Sequence, residues 1–264
     1  MNYYSQVGAY YDRDATDFEQ RYWHNSALQR IRQSFREVVK QHPMNRALEV
    51  GVGPGFDLAH FASQFPQSHF FGLDVSEEMV KLTAQRIRDR QLVNAQVAQG
   101  SAEDLERAFP NQTFDLIYVF FGALNTVEDL QVAMTALTNR LEPGGKMVLT
   151  FVNKWYLAGM VLELLKLKPK RAFARLKKVW GGYSPTQFLA SRCYSPAEIA
   201  TCAQSLRLEH AEGFSIAFPA WYYRRWHTLI PTKGLNLLWR FDRTIARTKM
   251  GTWGEYMLYT FAKP

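Results

Sequence analysis

Residues 47–55, Ala-Leu-Glu-Val-Gly-Val-Gly-Pro-Gly, place three glycines at alternate positions directly after a short apolar run. The run reads as a buried strand. The glycines let the backbone turn sharply and let a ligand approach without Cβ atoms in the way. A second strand, His69–Asp74, follows and ends in an acid 21 residues after Gly53. A glycine turn with a carboxylate closing the next strand is the arrangement that holds a nucleoside ribose in open α/β sheets.

The rest of the chain extends this strand–helix–strand unit. Residues 1–45 have apolar residues at helical spacing, from Phe18 and Tyr22 to Val38-Val39, before His42-Pro43 ends the run. Strands are then expected at 47–50, 70–73, 95–98, 114–121 and 146–152, with helices between them. Ser76 caps the second of these helices, and Pro143-Gly144-Gly145 forms a turn before the fifth strand. Near-continuous apolar strands alternating with helices indicate a parallel sheet covered on both faces. The rhythm breaks after Val152 and resumes with Ser195-Pro196-Ala197-Glu198, a capping box with proline at the first helical position. A sixth strand over 206–214 and a last one over 255–261 complete the pattern. The expected organisation is an N-terminal helical lid (1–45), a Rossmann-like core (46–153), insertions at 154–193 and 216–250, and the remainder of the core at 194–215 and 251–264.

Composition narrows the alternatives. With 47% hydrophobic and 21% charged residues, the chain reads as globular. The N-terminus is polar and tyrosine-rich, so no signal peptide is expected, and no run reaches the roughly 18 apolar residues of a membrane span. Cys193 and Cys202 form no CxxC pattern and lack clustered histidines, so no metal site is expected and reduced cytoplasmic thiols are. The net charge of +8 is uneven. Residues 1–153 hold 14 Lys/Arg against 18 Asp/Glu, residues 154–178 eight basic residues against one acid, and residues 221–250 seven against one. The positive excess therefore sits in the two insertions, a statement about partners rather than fold.

The spacing from Gly51 is GxGxG, with Phe56 where a dinucleotide site needs Gly or Ala, which counts against a nicotinamide cofactor. Glu49-Val50-Gly51-Val52-Gly53-Pro54-Gly55 resembles the first motif, ExGxGxG, of the class I S-adenosylmethionine-dependent methyltransferases. Later features occur in the same order: Asp74, Gly100-Ser101-Ala102-Glu103-Asp104-Leu105, Phe114-Asp115-Leu116-Ile117, and Leu141-Glu142-Pro143-Gly144-Gly145-Lys146. The resemblance covers roughly residues 10–153, 194–215 and 253–262. It implies an α/β, Rossmann-like, doubly wound seven-stranded sheet with an antiparallel last strand, and S-adenosyl-L-methionine as cofactor.

The resemblance also implies roles. Glu49 opens the motif, and Gly51, Gly53 and Gly55 pass under the methionine part of the cofactor. Asp74 takes the two ribose hydroxyls, Val75 and Met79 flank the adenine, and Ala102 offers its backbone N–H to the ring. Many relatives carry an Asp where this chain has Ser101, which leaves Glu103 to substitute for it. Phe120-Phe121-Gly122 borders the reacting methyl group, and Tyr10-Tyr11-Asp12-Arg13 resembles a segment that folds over bound cofactor, placing Tyr11 in the site.

Methyl transfer from a sulfonium is an in-line displacement, in which alignment supplies much of the rate. A general base is needed only for an acceptor that is a poor nucleophile when protonated. No residue is an unmistakable base; Tyr11, His24, Asn125, Tyr194, Tyr222 and His227 are the candidates. The fourth strand ends without the [DNS]PP[YFW] sequence typical of nucleobase amine methylation, so nucleic acid is disfavoured as a substrate. The basic insertions allow several readings: a cap over a small, anionic or hydrophobic acceptor, a peripheral contact with anionic membrane, an RNA- or protein-docking face, or a solvated helix face. The aromatic run Phe218–Tyr223 with Trp226 favours a small hydrophobic or amphiphilic acceptor. A cofactor-binding but inactive partner protein is the remaining alternative. Oligomeric state is open.

Overall fold

The computed structural model describes residues 2–181 and 188–264. Met1, at the start of the expected lid, and residues 182–187 of the first expected insertion lie outside the described residues. The elements in chain order are α1 (Tyr3–Trp23), α2 (Ser26–Val39), β1 (Arg46–Val50), α3 (Phe56–Gln64), β2 (His69–Asp74), α4 (Glu77–Asp89), β3 (Ala95–Gln99), α5 (Leu105–Ala108), β4 (Phe114–Val119), α6 (Leu130–Arg140) and β5 (Leu141–Val152). The insertion elements α7 (Leu157–Leu165) and α8 (Pro169–Ala172) follow, then α9 (Pro196–Cys202), β6 (Arg207–Phe214), α10 (Arg224–Leu229), α11 (Thr232–Ile245) and β7 (Tyr256–Ala262). Seven strands form one sheet in the order β3-β2-β1-β4-β5-β7-β6, with β7 antiparallel to both of its neighbours.

Alternation along the strands divides the core between the two sheet faces. Leu48, Val50, Ile117 and Val119 pack on the side of α6 and α9, against Leu130, Met134, Leu137 and Ile199. Ala47, Leu116 and Tyr118 pack on the side of α2 and α3, against Ile31, Phe35, Leu58 and Phe61. The apolar runs of β1, β2 and β4 are therefore buried on both faces, which a sheet with helices on each side provides, whereas the edge strand β3 is not.

The structure differs from the sequence reading in its boundaries and in one break. The N-terminal helical region is two helices, because Asn25 turns the chain and caps α2 by accepting the Leu28 N–H at 3.1 Å. The fourth strand ends at Val119 rather than Phe121 because Phe121 and Gly122 have φ of 52° and 75°, outside strand geometry. The fifth strand begins earlier, at Leu141, with an irregularity in its pairing to β4 between Phe114 and Leu116.

Since β1, β2, β3 and β4 run parallel, their carboxyl ends share one edge of the sheet. The chain reverses its winding at β1, which pairs with β2 on one side and β4 on the other. That is the switch point at which open α/β sheets bind ligands. The glycine turn, Asp74, Ser101 and Phe121 all fall there.

Candidate active site

The glycine turn is fixed by contacts that differ at each glycine. Gly51, Gly53 and Gly55 have φ of 75°, 53° and 75°, in the left-handed region that only glycine occupies without penalty. A Cβ on Gly51 would lie 2.5 Å from the Ala123 Cβ, and one on Gly55 would lie 2.8 Å from the Thr83 side chain. A Cβ on Gly53 would meet no atom within 4 Å. Two glycines therefore serve protein packing, and the middle one borders open space, the cradle a ligand backbone would need. The Gly53 N–H donates to Asp74 Oδ2 at 2.8 Å, and Thr83 Oγ1 donates to the Gly53 carbonyl at 2.8 Å.

Asp74 is buried at the end of β2, and its other oxygen, Oδ1, accepts the Ser76 N–H at 3.0 Å. A carboxylate can accept more hydrogen bonds than these backbone N–H groups supply, which leaves capacity for a vicinal diol. Burial pushes the Asp74 carboxyl up to about 6, opposed by the backbone N–H groups of Ser76 and Gly53. Glu49, at the end of β1, is buried beside Asp57, and both circumstances push its carboxyl well above the usual range. Its Oε2 accepts from the Tyr118 hydroxyl at 3.2 Å.

Helix α1 lies across the carboxyl end of β2. Gly8 permits the contact, since a Cβ there would sit 2.8 Å from the Val75 carbonyl oxygen. Asp12 Oδ1 accepts from Ser76 Oγ at 2.6 Å and from the Glu78 N–H at 3.1 Å, fastening α1 to the start of α4. Tyr4 donates to Glu103 at 2.6 Å, and Glu19 pairs with Arg86, whose Nε donates to the Pro54 carbonyl at 2.7 Å. Val7, Tyr10 and Leu189 form a small apolar cluster with Tyr11 and Val75 packed against it. A cleft of about 180 Å³ remains between Asn2, Tyr4, Val75, Gln99 and Ser101. The Asp74 carboxylate and the open cradle at Gly53 fit a nucleoside with an amino-acid tail, while the cleft lies to one side and is lined by neither residue.

The other residues expected at the site have varied surroundings. Met79 and Ala102 are buried, and Ser101 forms a capping box with Asp104, so its hydroxyl is engaged by Asp104 Oδ2 at 2.9 Å. The Phe120 ring points into the core between Phe35 and Tyr118, at 5.4 and 5.3 Å. Phe121, half-buried, packs on the same Phe35 ring at 5.2 Å and on the Tyr256 ring at 5.8 Å. Asn125 is fully buried: Nδ2 donates to the Val152 and Arg192 carbonyls and Oδ1 accepts from the Val152 N–H, which occupies its amide with backbone. His24 caps α1 through Gln20 O at 2.8 Å, and His227 Nε2 lies 3.2 Å from Ala220 O within the second insertion. Tyr194 packs edge-on to Phe151 in the main core. Burial raises both the Tyr11 and Tyr194 hydroxyls, so each is a neutral phenol rather than a phenolate base. Tyr222 donates to Glu255 Oε2 at 2.9 Å.

Sequence reasoning missed the buried ion cluster behind the glycine turn. Asp57, in the first turn of α3, pairs with Arg32 and with Arg36 Nε at 2.6 Å. The Arg32 guanidinium lies 4.8, 5.3 and 4.6 Å from the ring centres of Tyr22, Phe56 and Phe121. No local spacing links Arg32 to Asp57; the capping box that holds the Ser101 hydroxyl also went unread, although Ser101-x-x-Asp104 is a spacing that could have shown it.

Comparison with known proteins agrees with this geometry. Residues 47–145 match the methyltransferase domain family. The chain is 32% identical over 104 residues to a demethylmenaquinone methyltransferase of Geobacillus sp. (strain WCH70), covering 39% of this chain and 43% of that protein. It is 29% identical over 149 residues to the demethylmenaquinone methyltransferase of Geobacillus kaustophilus, covering 55% and 59%. In both cases the match spans less than two thirds of the relative's length. Among solved structures, a [4+2]-cyclase, SpnF, superposes with a TM-score of 0.66 at 18% identity, covering 98% of this chain and 95% of that one. The N-methyltransferase NodS from Bradyrhizobium japonicum, in complex with S-adenosyl-L-homocysteine, superposes with a TM-score of 0.54 at 13% identity, covering 92% and 91%. These structural likenesses establish the fold. Over residues 47–145 the chain is similar to the methyltransferase domain family, and the glycine cradle and Asp74 fit S-adenosyl-L-methionine, the cofactor of such domains.

Proposed function

We propose that the chain methylates a small hydrophobic or amphiphilic acceptor by direct displacement. The observation that carries this reading is the aromatic wall at the carboxyl end of β4. Phe121 packs on Tyr256, whose hydroxyl accepts from Trp221 Nε1 at 3.2 Å, and Trp180 and Trp221 pack against the same cluster. Rings of this kind bind a flat or greasy molecule and exclude water from it. The demethylmenaquinone methyltransferases matched over part of the chain bear names that indicate an acceptor of this class.

Bound in this site, S-adenosyl-L-methionine supplies a methyl group activated by its sulfonium charge. Asp74 positions the ribose through the acceptor capacity left on its carboxylate, Gly53 gives the methionine part room, and α1 shields the site from solvent. Phe121 and Tyr256 hold the acceptor side dry. Alignment of this sort contributes on the order of 7–11 kcal/mol in well-oriented reactions, so a direct displacement has no need of a strong base. Because the same fold serves a [4+2]-cyclase, the fold alone does not dictate the reaction. Incubation with methyl-labelled cofactor and a cell extract, followed by separation into lipid, small-molecule and polymer fractions, tests the proposal. Label in the organic-soluble fractions is expected. Label confined to RNA or protein, or none at all despite cofactor binding, would refute it.

A further inference from the structure

Helix α7 presents its apolar side outward. Leu157, Val161, Leu164 and Leu165 follow one helical face and are 43%, 46%, 41% and 75% exposed, whereas Gly159 and Met160 face the protein. The apolar surface continues into Leu167, 88% exposed, flanked by Lys166 and Lys168. Helix α8 then adds Lys170 and Arg171. The second insertion meets this edge: the Lys166 ammonium lies 5.1 Å from the centre of the Tyr223 ring, and Arg175 Nη2 donates to the Tyr222 hydroxyl at 3.3 Å. The next element, α10, buries no residue and exposes Trp226 and Leu229 beside Arg224 and Arg225.

Chemistry separates the occupants such a surface could take. A second copy docked through a two-fold axis would bring the cationic rim against itself, since residues 154–178 carry eight basic residues and one acid. A nucleic acid would pair its phosphates with the cations and stack bases on Trp226, but it would leave the leucine and valine ridge of α7 uncovered. A bilayer bearing anionic lipids uses both features, taking the aliphatic side chains into the headgroup–acyl boundary and setting lipid phosphates against the lysines and arginines. We propose that the outward face of α7, with the adjoining α8 and α10, docks this chain on an anionic lipid bilayer. The inference goes beyond methyl transfer and stands whatever the acceptor is.

The test is co-sedimentation of the full chain with phosphatidylcholine vesicles, with and without phosphatidylglycerol. Partitioning at least about tenfold stronger onto the anionic vesicles, and weakening as salt is raised, is expected. The double variant Leu164→Glu/Leu165→Glu should bind these vesicles about tenfold more weakly. It should retain wild-type affinity for S-adenosyl-L-homocysteine, which also reports that it folds. Absence of vesicle binding, equal binding to neutral and anionic vesicles, or a variant that binds like wild type would overturn the proposal. So would a vesicle-free dimer that the double variant dissociates, which would assign the surface to a second copy. RNA binding tighter than vesicle binding and indifferent to the leucine substitutions would assign it to nucleic acid.

Discussion

Replacing Gly53 with alanine separates the two demands made on the glycine turn. At φ 53° an alanine pays the left-handed penalty, roughly 1–2 kcal/mol. Its Cβ meets no protein atom within 4 Å, so no clash adds to that cost. For a chain of this size the melting temperature should fall by about 2–8 °C. The methyl group would, however, occupy the space the cofactor needs. Displacing the ligand enough to lose two hydrogen bonds, at about 1–1.5 kcal/mol each, weakens binding by roughly 30- to 150-fold. Gly51→Ala is the control. It bears the same backbone strain, and its Cβ would also lie 2.5 Å from that of Ala123, so overpacking adds about 1–3 kcal/mol. Thermal unfolding and calorimetric titration with S-adenosyl-L-homocysteine should therefore rank the variants in opposite orders per unit of stability lost. If Gly53→Ala binds the homocysteine product as well as wild type does, the cradle has been misplaced and the reasoning fails.

Two further predictions concern buried carboxylates. Burial raises the Asp74 carboxyl to about 6, so in the ligand-free protein its ionisation lowers stability as pH rises from its unfolded value of about 3.9 toward 6. Cofactor binding needs the ionised acceptor and so runs the other way: affinity should fall about tenfold between pH 7.5 and 5. An affinity for S-adenosyl-L-homocysteine that is flat across that range would count against Asp74 as the ribose ligand. Asp57→Ala leaves Arg32 buried without its counter-ion and should cost about 3–5 kcal/mol in urea unfolding; a loss under about 1 kcal/mol would show that the cluster is not structurally important.

Much of the fold was legible because the central strands β1, β2 and β4 carry apolar runs and several helices carry a side-chain cap. Ser76 and the Ser195–Glu198 box are local signals with local causes, whereas Pro143-Gly144-Gly145, expected as a turn before the fifth strand, lies within β5. Asp74 and the glycines were legible for the same reason, as a turn and the end of a strand. What stayed hidden depends on contacts between distant segments. Asp12 reaches Ser76 across 64 positions, and Arg32 reaches Asp57 across 25. Phe120 and Phe121 are adjacent and chemically identical, and both rings reach Phe35, but with the backbone reversal at φ 52° only Phe120 is buried. Asn125 sits at the ligand-binding edge, but its amide is occupied by the backbone of Val152 and Arg192, which no spacing rule reveals.

The central claim is that Asp74 and the glycine cradle hold S-adenosyl-L-methionine, and calorimetric titration of the wild type and Asp74→Ala with S-adenosyl-L-homocysteine tests it most directly. Charge-assisted hydrogen bonds contribute about 1.5–3 kcal/mol each, so losing both ribose contacts should weaken binding at least about 100-fold while the variant stays folded. Failure of the wild type to bind, or equal binding by Asp74→Ala, would contradict the account.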